Sequence, residues 1–408
     1  MAFGRNTHKR IPGMGDKSKD RRQFIWWVLH RTAGPYFRRR FNYACEPIEV
    51  EGPYLLVSNH VTNNDPFFVG LSAPGRPLTY VASEHIFRQG LVSSIIKKLL
   101  SPIPRSKAAS GAGTVKSVLR RIKEGESVAL FAEGDCTWSG LSSKVFPATG
   151  KLAKACGAPL VTYRIEGGYL SHPRWAKNGR KGRMHGGPVH VYTAEELKGM
   201  TAEEVTAAID RDIYEDAWQR QAEEGPEFKG RGKAEGLERG FYICPCCGGM
   251  KLTSEGDMMT CADCATTVRV GDTGRLSYSF NPEIPPVGRH FADNAAWDAW
   301  QAYRMDGIAK GDFAEPEHAS IPCLYTKVND DKREKGRKVL LTLSIKGHFM
   351  SIDGEELAFG DISDMSMVKT NRLLYTTAEG YYELKSGEGC LRMVLNAWQA
   401  AKRCGKEE

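Results

Sequence analysis

Short apolar runs alternate with segments of helical periodicity between residue 46 and about residue 222, and this alternation restricts the fold more than any other feature. The runs "YLLVS", "SVALF" and "PLVTYRI" have the length and composition of buried strands. "TVKSVLRRIKEG" predicts a helix before the second strand. "TAEEVTAAIDRDIYEDAWQRQAEE" predicts a closing helix that starts with a capping box, Thr201 and Glu204. We therefore predict an α/β domain in which a mixed sheet is flanked by helices.

The chain has 408 residues, which is more than one hydrophobic core usually supports, so we divide it by composition. The segment "GPEFKGRGKAEGLERG" is rich in glycine and charge, which predicts a linker. The predicted parts are a basic amphipathic leader (1–45), the α/β domain (46–225), the linker (226–240), a small metal-binding ribbon (241–275) and a C-terminal domain (276–408).

The leader holds most of the formal charge of +8, because residues 1–50 contain eleven Lys and Arg against four Asp and Glu. Phe24, Trp27, Val28 and Arg31 follow helical spacing, which fits a helix packed on its own domain or one lying at a membrane surface. No apolar run reaches the roughly 20 residues of a spanning helix, and no secretory signal is visible. We expect a cytoplasmic protein, peripheral on the inner face of the cell membrane.

Four cysteines form the pattern C-x2-C-x13-C-x2-C: Cys244, Cys247, Cys261 and Cys264. Two CxxC turns supply the tetrahedral sulfur set that Zn²⁺ prefers, and "CPCCGG" resembles the first knuckle of a zinc ribbon. Four ligands fill the coordination sphere, so we expect a structural metal; a redox pair is the alternative. Cys246 is a spare thiol that leaves the ligand register open.

The C-terminal domain combines strand and helix patterns. Leu341, Leu343 and Ile345 alternate with polar residues, and the "DG" at 353–354 predicts a turn. A closing helix places Leu391, Val394, Leu395 and Trp398 on one face. The domain weakly resembles small pleckstrin-homology-like domains, although an interaction or stabilising role is the favoured interpretation.

Candidate catalytic residues follow the predicted strands of the α/β domain. In "LLVSNHVTNNDP", His60 leaves a strand and Asp65 comes about one helical turn later, where a carboxylate can hold one imidazole nitrogen while the other accepts a proton. Glu133 and Gly134 follow the strand Ser127 to Phe131, the usual place for ligand contacts in an α/β sheet. Basic candidates for binding a phosphate are Arg105 in "SPIPRSK", Arg164 and Arg174.

The blocks "NHVTNNDP", "IPRSK", "FAEGD" and "GAPLVTYRI", in this order, resemble the lysophospholipid acyltransferase family, which includes 1-acylglycerol-3-phosphate acyltransferases. The resemblance covers about residues 20–222. It implies that His60 is a general base oriented by Asp65, that Arg105 binds the acceptor phosphate, and that Glu133 and Gly134 shape the acceptor site. It also implies an acyl-CoA or acyl carrier protein donor and a lysophospholipid acceptor, with phosphatidate as the expected product.

The third block departs from the family pattern at Asp135 and Cys136, where a positive charge for the phosphate is expected. Either Arg164 or Arg174 compensates, or the acceptor is a different one, such as an amine or an ornithine-like headgroup. A second hypothesis is a zinc-ribbon protein that binds nucleic acid or a protein partner and carries a catalytically silent acyltransferase-like domain. Under the enzyme hypothesis we do not expect nucleic acid as a partner.

Overall fold

The computed structural model describes residues 17–83, 101–105, 111–288, 290–329, 332–333 and 335–405. Within these residues the strands form three sheets, of seven, four and eight strands in chain order. The combination of a mixed sheet with flanking helices confirms the predicted α/β class. Residues 1–16 of the predicted leader lie outside the described part.

The first sheet has the strand order β1-β7-β6-β2-β5-β3-β4. Its strands are β1 Tyr43–Cys45, β2 Leu55–Ser58, β3 Leu78–Ser83, β4 Ile103–Arg105, β5 Ser127–Phe131, β6 Leu160–Glu166 and β7 Met184–Tyr192. The β6–β7 pair is antiparallel, and every other pair is parallel. Parallel pairing of β2 with β5 places their carboxyl ends at one edge, where ligands bind in sheets of this kind.

Helices cover both faces of this sheet: α1 Lys17–Phe41, α2 Asp65–Leu71, α3 Ala112–Lys123, α4 Ala148–Cys156, α5 Gly168–Ser171, α6 Ala194–Gly199, α7 Ala202–Ile213 and α8 Ala217–Glu224. Along β2, Leu56 points into the core under α1 and α2, whereas Leu55 and Val57 point into the core under α3, α4 and α7. This alternation is the two-residue period of a strand buried on both faces.

The single closing helix expected near residue 201 is two helices. The predicted capping box at Thr201 and Glu204 is present at the start of α7. The chain then leaves helical geometry at Tyr214, and the Asp216 side chain caps α8 by accepting from the amides of Trp218 (2.9 Å) and Gln219 (3.0 Å). A second N-cap inside the run is the physical reason for the break.

The predicted metal-binding ribbon contains an antiparallel sheet of β8 Leu252–Glu255, β9 Met258–Cys261, β10 Thr267–Val270 and β11 Leu276–Ser279. Its core includes Trp175 from the α/β part and Trp297 from the following helix, α9 Asn294–Lys310. The sequence analysis had no helix at α9. The apolar residues of α9 do not form a single face, because Trp297 packs on the ribbon while Met305 and Ile308 pack on the C-terminal core.

The segment 226–240 is packed and does not behave as a free linker. Phe228, Ala234 and Leu237 are buried, and a short 3-10 helix runs over Leu237–Arg239. The Phe228 amide donates to the Asp272 carbonyl (2.7 Å), and Lys233 pairs with Asp257 and Asp272. Glycine and charge signalled a linker, but its few apolar residues enter neighbouring cores. The domain division itself stays a prediction.

The C-terminal part is an antiparallel sheet with the order β16-β15-β14-β12-β19-β18-β17, with β13 paired to β12, closed by the helix α10 Leu391–Cys404. The strands are β12 Ile321–Asn329, β13 Lys332–Arg333, β14 Arg337–Ser344, β15 Phe349–Ile352, β16 Glu355–Ala358, β17 Asp364–Val368, β18 Arg372–Thr377 and β19 Gly380–Lys385. The predicted "DG" turn joins β15 to β16, with positive φ at Asp353 and Gly354.

Helix α1 lies on the first sheet through a face that differs from the predicted one. Trp26 is buried and its indole donates to the Ala73 carbonyl (2.7 Å), while His30 contacts the Gly70 carbonyl. Phe24 and Trp27, which the helical spacing grouped as one face, are 64% and 52% exposed. The buried face therefore runs through Trp26, and the predicted aromatic face points outward. Among the described helices, none is long and apolar enough to cross a membrane.

Candidate functional site

His60 is positioned by the residue before it. After β2, the Asn59 side chain donates to the Ile165 carbonyl (2.9 Å) and accepts from the Ile165 amide (2.8 Å). This reciprocal pair fastens the end of β2 to β6. The His60 imidazole then stacks on Phe131 at the end of β5, with ring centroids 4.6 Å apart.

Asp65 meets His60 as the sequence predicted. Its Oδ2 lies 2.7 Å from His60 Nδ1, and its side chain is completely buried. The same carboxylate accepts from the amides of Val61 (2.7 Å) and Thr62 (3.0 Å) and from the Thr62 hydroxyl (2.8 Å). A carboxylate at the first turn of α2 that only accepts makes Nδ1 the donor, so Nε2 carries the free lone pair.

Burial lowers the pKa of His60, whereas Cys136 and the Asp65 carboxylate raise it, and the net result is a pKa well above the usual 6.5. Burial also raises the pKa of the Cys136 thiol, which leaves that thiol neutral near pH 7. The Asp65 carboxylate is therefore the charge that favours a protonated His60. His60 is a strong base for its residue type, and it accepts a proton most readily at alkaline pH.

Glu133 ties the end of β5 to the end of β2. Its Oε1 accepts from the His60 amide (2.8 Å) and its Oε2 from the Ser143 amide (2.6 Å). Burial raises the pKa of this carboxyl to about 7. Gly134 has φ +78°, and a Cβ there would lie 2.6 Å from the Phe146 ring. A side chain at Gly134 would therefore clash with Phe146, and the backbone there has a conformation that favours glycine.

His60 opens into a groove of about 670 Å³. Its apolar lining comes from β3, α3, β5 and α4 and includes Tyr80, Val115, Val118, Leu130, Phe131 and Leu152. Its polar lining includes His60, Asn63 and Asp135 and the cations Arg105, Arg174 and Lys369. Such a groove can hold an acyl chain against its apolar wall beside a polar reaction centre.

The predicted arginines have three different placements. Arg105, at the end of β4, lines the groove with its guanidinium 5.3 Å from the centroid of the Phe146 ring. Arg174 also lines the groove, but it is ion-paired with Asp135. Arg164 does not line the groove: it pairs with Glu166 (3.0 Å) and lies near the carbonyl of Asp212 (3.4 Å). The structure gives no support to a phosphate-binding role for Arg164.

Two features of the site were not among the predicted site residues. The Cys136 sulfur lies 3.4 Å from both His60 ring nitrogens, which places it over the face of the ring. Met367, Val368 and Lys369, from the turn between β17 and β18, form part of the groove wall. The unusual residue at position 136 was a local signal. Met367, Val368 and Lys369 lie some 300 positions further along the chain, and no local sequence pattern indicated them, because only the tertiary fold brings them to the groove.

The four predicted cysteine ligands come together. The sulfurs of Cys244, Cys247, Cys261 and Cys264 all lie within 4.8 Å of one another, with 3.6 Å between Cys244 and Cys264. Tetrahedral Zn²⁺ with Zn–S bonds of about 2.3 Å needs sulfur separations of roughly 3.8 Å, so the geometry fits. The Cys246 sulfur contacts the Ile284 carbonyl (3.6 Å) and is not one of this group of four. The cluster could therefore hold a metal ion through these four residues.

Comparison with known proteins gives a match to a protein family and a match to a solved structure. The sequence profile of the Acyltransferase family matches residues 40–166, a span that contains His60, Asp65, Arg105 and Glu133. Among solved structures, the fold is similar to the crystal structure of the 1-acyl-sn-glycerophosphate (LPA) acyltransferase, PlsC, from Thermotoga maritima. That similarity has a TM-score of 0.41 at 18% identity and covers 52% of this chain and 84% of that chain. Residues 40–166 of this chain are therefore similar to the Acyltransferase family.

Proposed function

We propose that the chain transfers an acyl group from a thioester donor, acyl-CoA or acyl carrier protein, to the hydroxyl of a lysophospholipid. The proposed acceptor is 1-acylglycerol-3-phosphate and the product is phosphatidate. The observation that carries this proposal is the His60–Asp65 pair, which opens into a groove with an apolar wall and several cations. The apolar wall suits an acyl chain, His60 suits a hydroxyl, and the cations suit an anionic headgroup.

The proposed chemistry uses the two nitrogens of His60 for different tasks. Nδ1 donates to Asp65, which orients the ring, and Nε2 removes the proton from the acceptor hydroxyl. The hydroxyl oxygen attacks the thioester carbonyl and forms a tetrahedral intermediate. The intermediate collapses with loss of the thiolate, which takes the proton from Nε2, so that an ester and a free thiol are the products. No acyl-enzyme forms.

His60→Ala tests this proposal, with His190→Ala as the matched control because His190 is exposed on β7 and does not line the groove. Loss of a general base costs about 10²- to 10⁴-fold in rate. We expect His60→Ala to lose transfer by at least that factor while metal content and thermal unfolding are unchanged. Normal turnover in His60→Ala would refute the proposed role.

We also propose that the protein lies on a membrane surface. The outward face of α1 exposes Phe24, Trp27 and Tyr36, and Arg31 covers the Trp27 ring at 5.2 Å. Aromatic rings suit the boundary between headgroups and acyl chains, and arginine suits anionic headgroups. Such a location would bring the groove to its lipid substrate. Flotation with anionic liposomes tests this location.

For the cysteine cluster we propose structural Zn²⁺. All four ligand positions are filled by thiolates from this chain, which leaves no open position for a substrate. The metal would hold the two CxxC turns together, and the Gly249 amide donates to the Cys247 sulfur (3.3 Å) from the first of them. Elemental analysis of the purified chain tests this, with one zinc per chain as the expected result.

A further inference from the structure

We propose that Lys369, in the C-terminal part of the chain, supplies an anion subsite of the acyltransferase groove and binds the phosphate monoester of the acceptor. This inference rests on the proposed function for the identity of the acceptor. It assigns to the turn between β17 and β18, far outside residues 40–166, a direct part in substrate selection. Lys369 would replace the positive charge that Asp135 and Cys136 do not provide.

The first step is the state of the other cations. Asp135 neutralises Arg174, whose side chain is only 2% exposed. Arg174 Nη1 also donates to the Cys136 carbonyl (3.2 Å), and its guanidinium stacks over Trp138 at 4.2 Å. Each nitrogen of this guanidinium contacts a protein acceptor, and one of its faces stacks on Trp138. Arg174 is therefore a structural cation and is not available to a ligand.

Among the described cations that line the groove, Arg105 and Lys369 remain. The Arg105 guanidinium lies over the Phe146 ring, on the side of the groove formed by β4 and α4. Lys369 is exposed in the part of the groove lining that comes from the turn between β17 and β18, and no ion pair of its ammonium is seen among the described residues. A phosphate carrying nearly two negative charges is better matched by two cations than by Arg105 alone.

The second step is that the Lys369 backbone is held in a defined position. Its carbonyl accepts from Arg174 Nε (3.2 Å) and Nη2 (2.8 Å). One guanidinium thus joins Lys369 to Cys136, whose sulfur lies 3.4 Å from the His60 ring. The neighbouring Thr370 hydroxyl accepts from Arg239 (3.4 Å). Arg174 holds this turn against the loop that follows β5, so the turn is a fixed part of the groove wall.

The third step is the backbone conformation of Lys369, which has φ +55°. A residue with a side chain pays of order 1 kcal/mol to occupy this region, and glycine or asparagine would fit the turn at less cost. Residues held in such conformations cluster at ligand sites. Lysine offers a point charge on a flexible stem, which can reach a phosphate without fixed geometry.

The test compares two acceptors that differ only in the phosphate monoester, 1-acylglycerol-3-phosphate and 1-monoacylglycerol, with Lys369→Glu and Lys369→Ala. The matched control is Lys346→Glu, because Lys346 is an exposed lysine in another hairpin turn of the same sheet and does not line the groove. For Lys369→Glu we expect KM for the phosphate acceptor to rise on the order of tenfold, with kcat within about twofold. Kinetics with the neutral acceptor should not change. Equal losses on both acceptors, or no loss on either, would overturn the proposal.

The donor also carries phosphates when it is acyl-CoA, so a further arm separates the two sources. KM for acyl-CoA and for the matching N-acetylcysteamine thioester, which has no phosphate, is measured in the same variants. We expect Lys369→Glu to leave both donor KM values unchanged. A rise confined to acyl-CoA would overturn the assignment to the acceptor and place the donor's phosphate at Lys369.

A binding measurement separates failure of this subsite from failure of the proposed function. A short-chain lysophosphatidate below its micellar concentration is titrated into the wild type and the Lys369→Glu variant without any donor. Binding weakened about tenfold in Lys369→Glu supports the subsite even if no transfer to either acceptor occurs, in which case the proposed reaction alone would be wrong. Equal affinity in the two proteins would overturn the subsite whether or not transfer occurs.

Discussion

The His60 imidazole is held at Nδ1 by a carboxylate that has no exposure to solvent and three other donors of its own. This pair was predictable because its members lie five residues apart and the loop between them is short. Glu133 was predictable only as a residue at a strand end. The hydrogen bond from the His60 amide to Glu133 depends on the parallel pairing of β2 with β5, and this pairing cannot be read from the sequence.

Asp65→Asn should shift the pH dependence of transfer. His60 must be neutral at Nε2 to remove a proton, so kcat/KM rises with pH through the pKa of His60 and is flat above it. The Asp65 carboxylate raises that pKa. Removing its charge should move the acid limb to lower pH and should also lower the plateau, because the amide does not select the same tautomer. A pH–rate profile of both proteins checks this; an unmoved acid limb would contradict it.

Cys136→Ala should keep transfer activity within about tenfold of the wild type. The sulfur is equidistant from the two ring nitrogens and lies over the ring, so it is not aligned with a nitrogen lone pair for proton transfer. Burial also raises the pKa of the thiol. Cys156→Ala is the matched control outside the groove. If Cys136→Ala alone lost transfer, the thiol would carry the acyl group and direct attack would be wrong.

At the scale of elements, α1 shows how a helical pattern can mislead. Phe24, Trp27, Val28 and Arg31 do share a face, but burial is decided by Trp26 and its hydrogen bond to Ala73. Gly70 permits this contact, since a Cβ there would lie 3.2 Å from the Trp26 ring. An aromatic-rich helix has more than one apolar face, and the sequence alone does not show which of them packs on the domain.

The adjacent tryptophans of α1 should separate stability from membrane binding. Trp26 is 6% exposed and Trp27 is 52% exposed. Trp26→Ala should lower the free energy of unfolding by about 3 kcal/mol with little effect on liposome binding by the folded protein. Trp27→Ala should leave unfolding nearly unchanged and weaken flotation with anionic liposomes. Thermal unfolding and flotation of both variants check this, and each serves as the control for the other. Equal flotation of Trp27→Ala and the wild type would contradict it.

At the scale of the whole molecule, the parts identified from composition share their cores. Trp175, which precedes the ribbon in the chain, and Trp297, which follows it, both pack in the core of the ribbon. Trp138, which follows the third block, has the guanidinium of Arg174 at 4.2 Å and that of Arg392 of α10 at 4.6 Å from its ring centroid. Local patterns identified each sheet. The contacts that join them depend on single side chains far apart in the chain, which is why a linker was expected where the chain is packed.

Loss of zinc should destabilise the whole molecule and not the ribbon alone. Cys261→Ser removes a predicted ligand, whereas Cys246→Ser changes an equally buried cysteine outside the cluster. We expect Cys261→Ser to lose bound zinc and to lower the Tm, because Trp175 packs on the ribbon from the α/β part. Cys246→Ser should retain one zinc per chain. Metal content and thermal unfolding check this, and zinc retained at full stoichiometry in Cys261→Ser would contradict it.

The most direct measurement of the proposed reaction follows the acyl group itself. The purified chain is incubated with acyl-labelled acyl-CoA and 1-acylglycerol-3-phosphate, and labelled lipid and free CoA are quantified together by mass spectrometry. Attack by the acceptor hydroxyl activated at His60 predicts labelled phosphatidate and free CoA in equal amounts, with His60→Ala forming neither. Free CoA without labelled phosphatidate, or labelled phosphatidate formed equally well by His60→Ala, would contradict it.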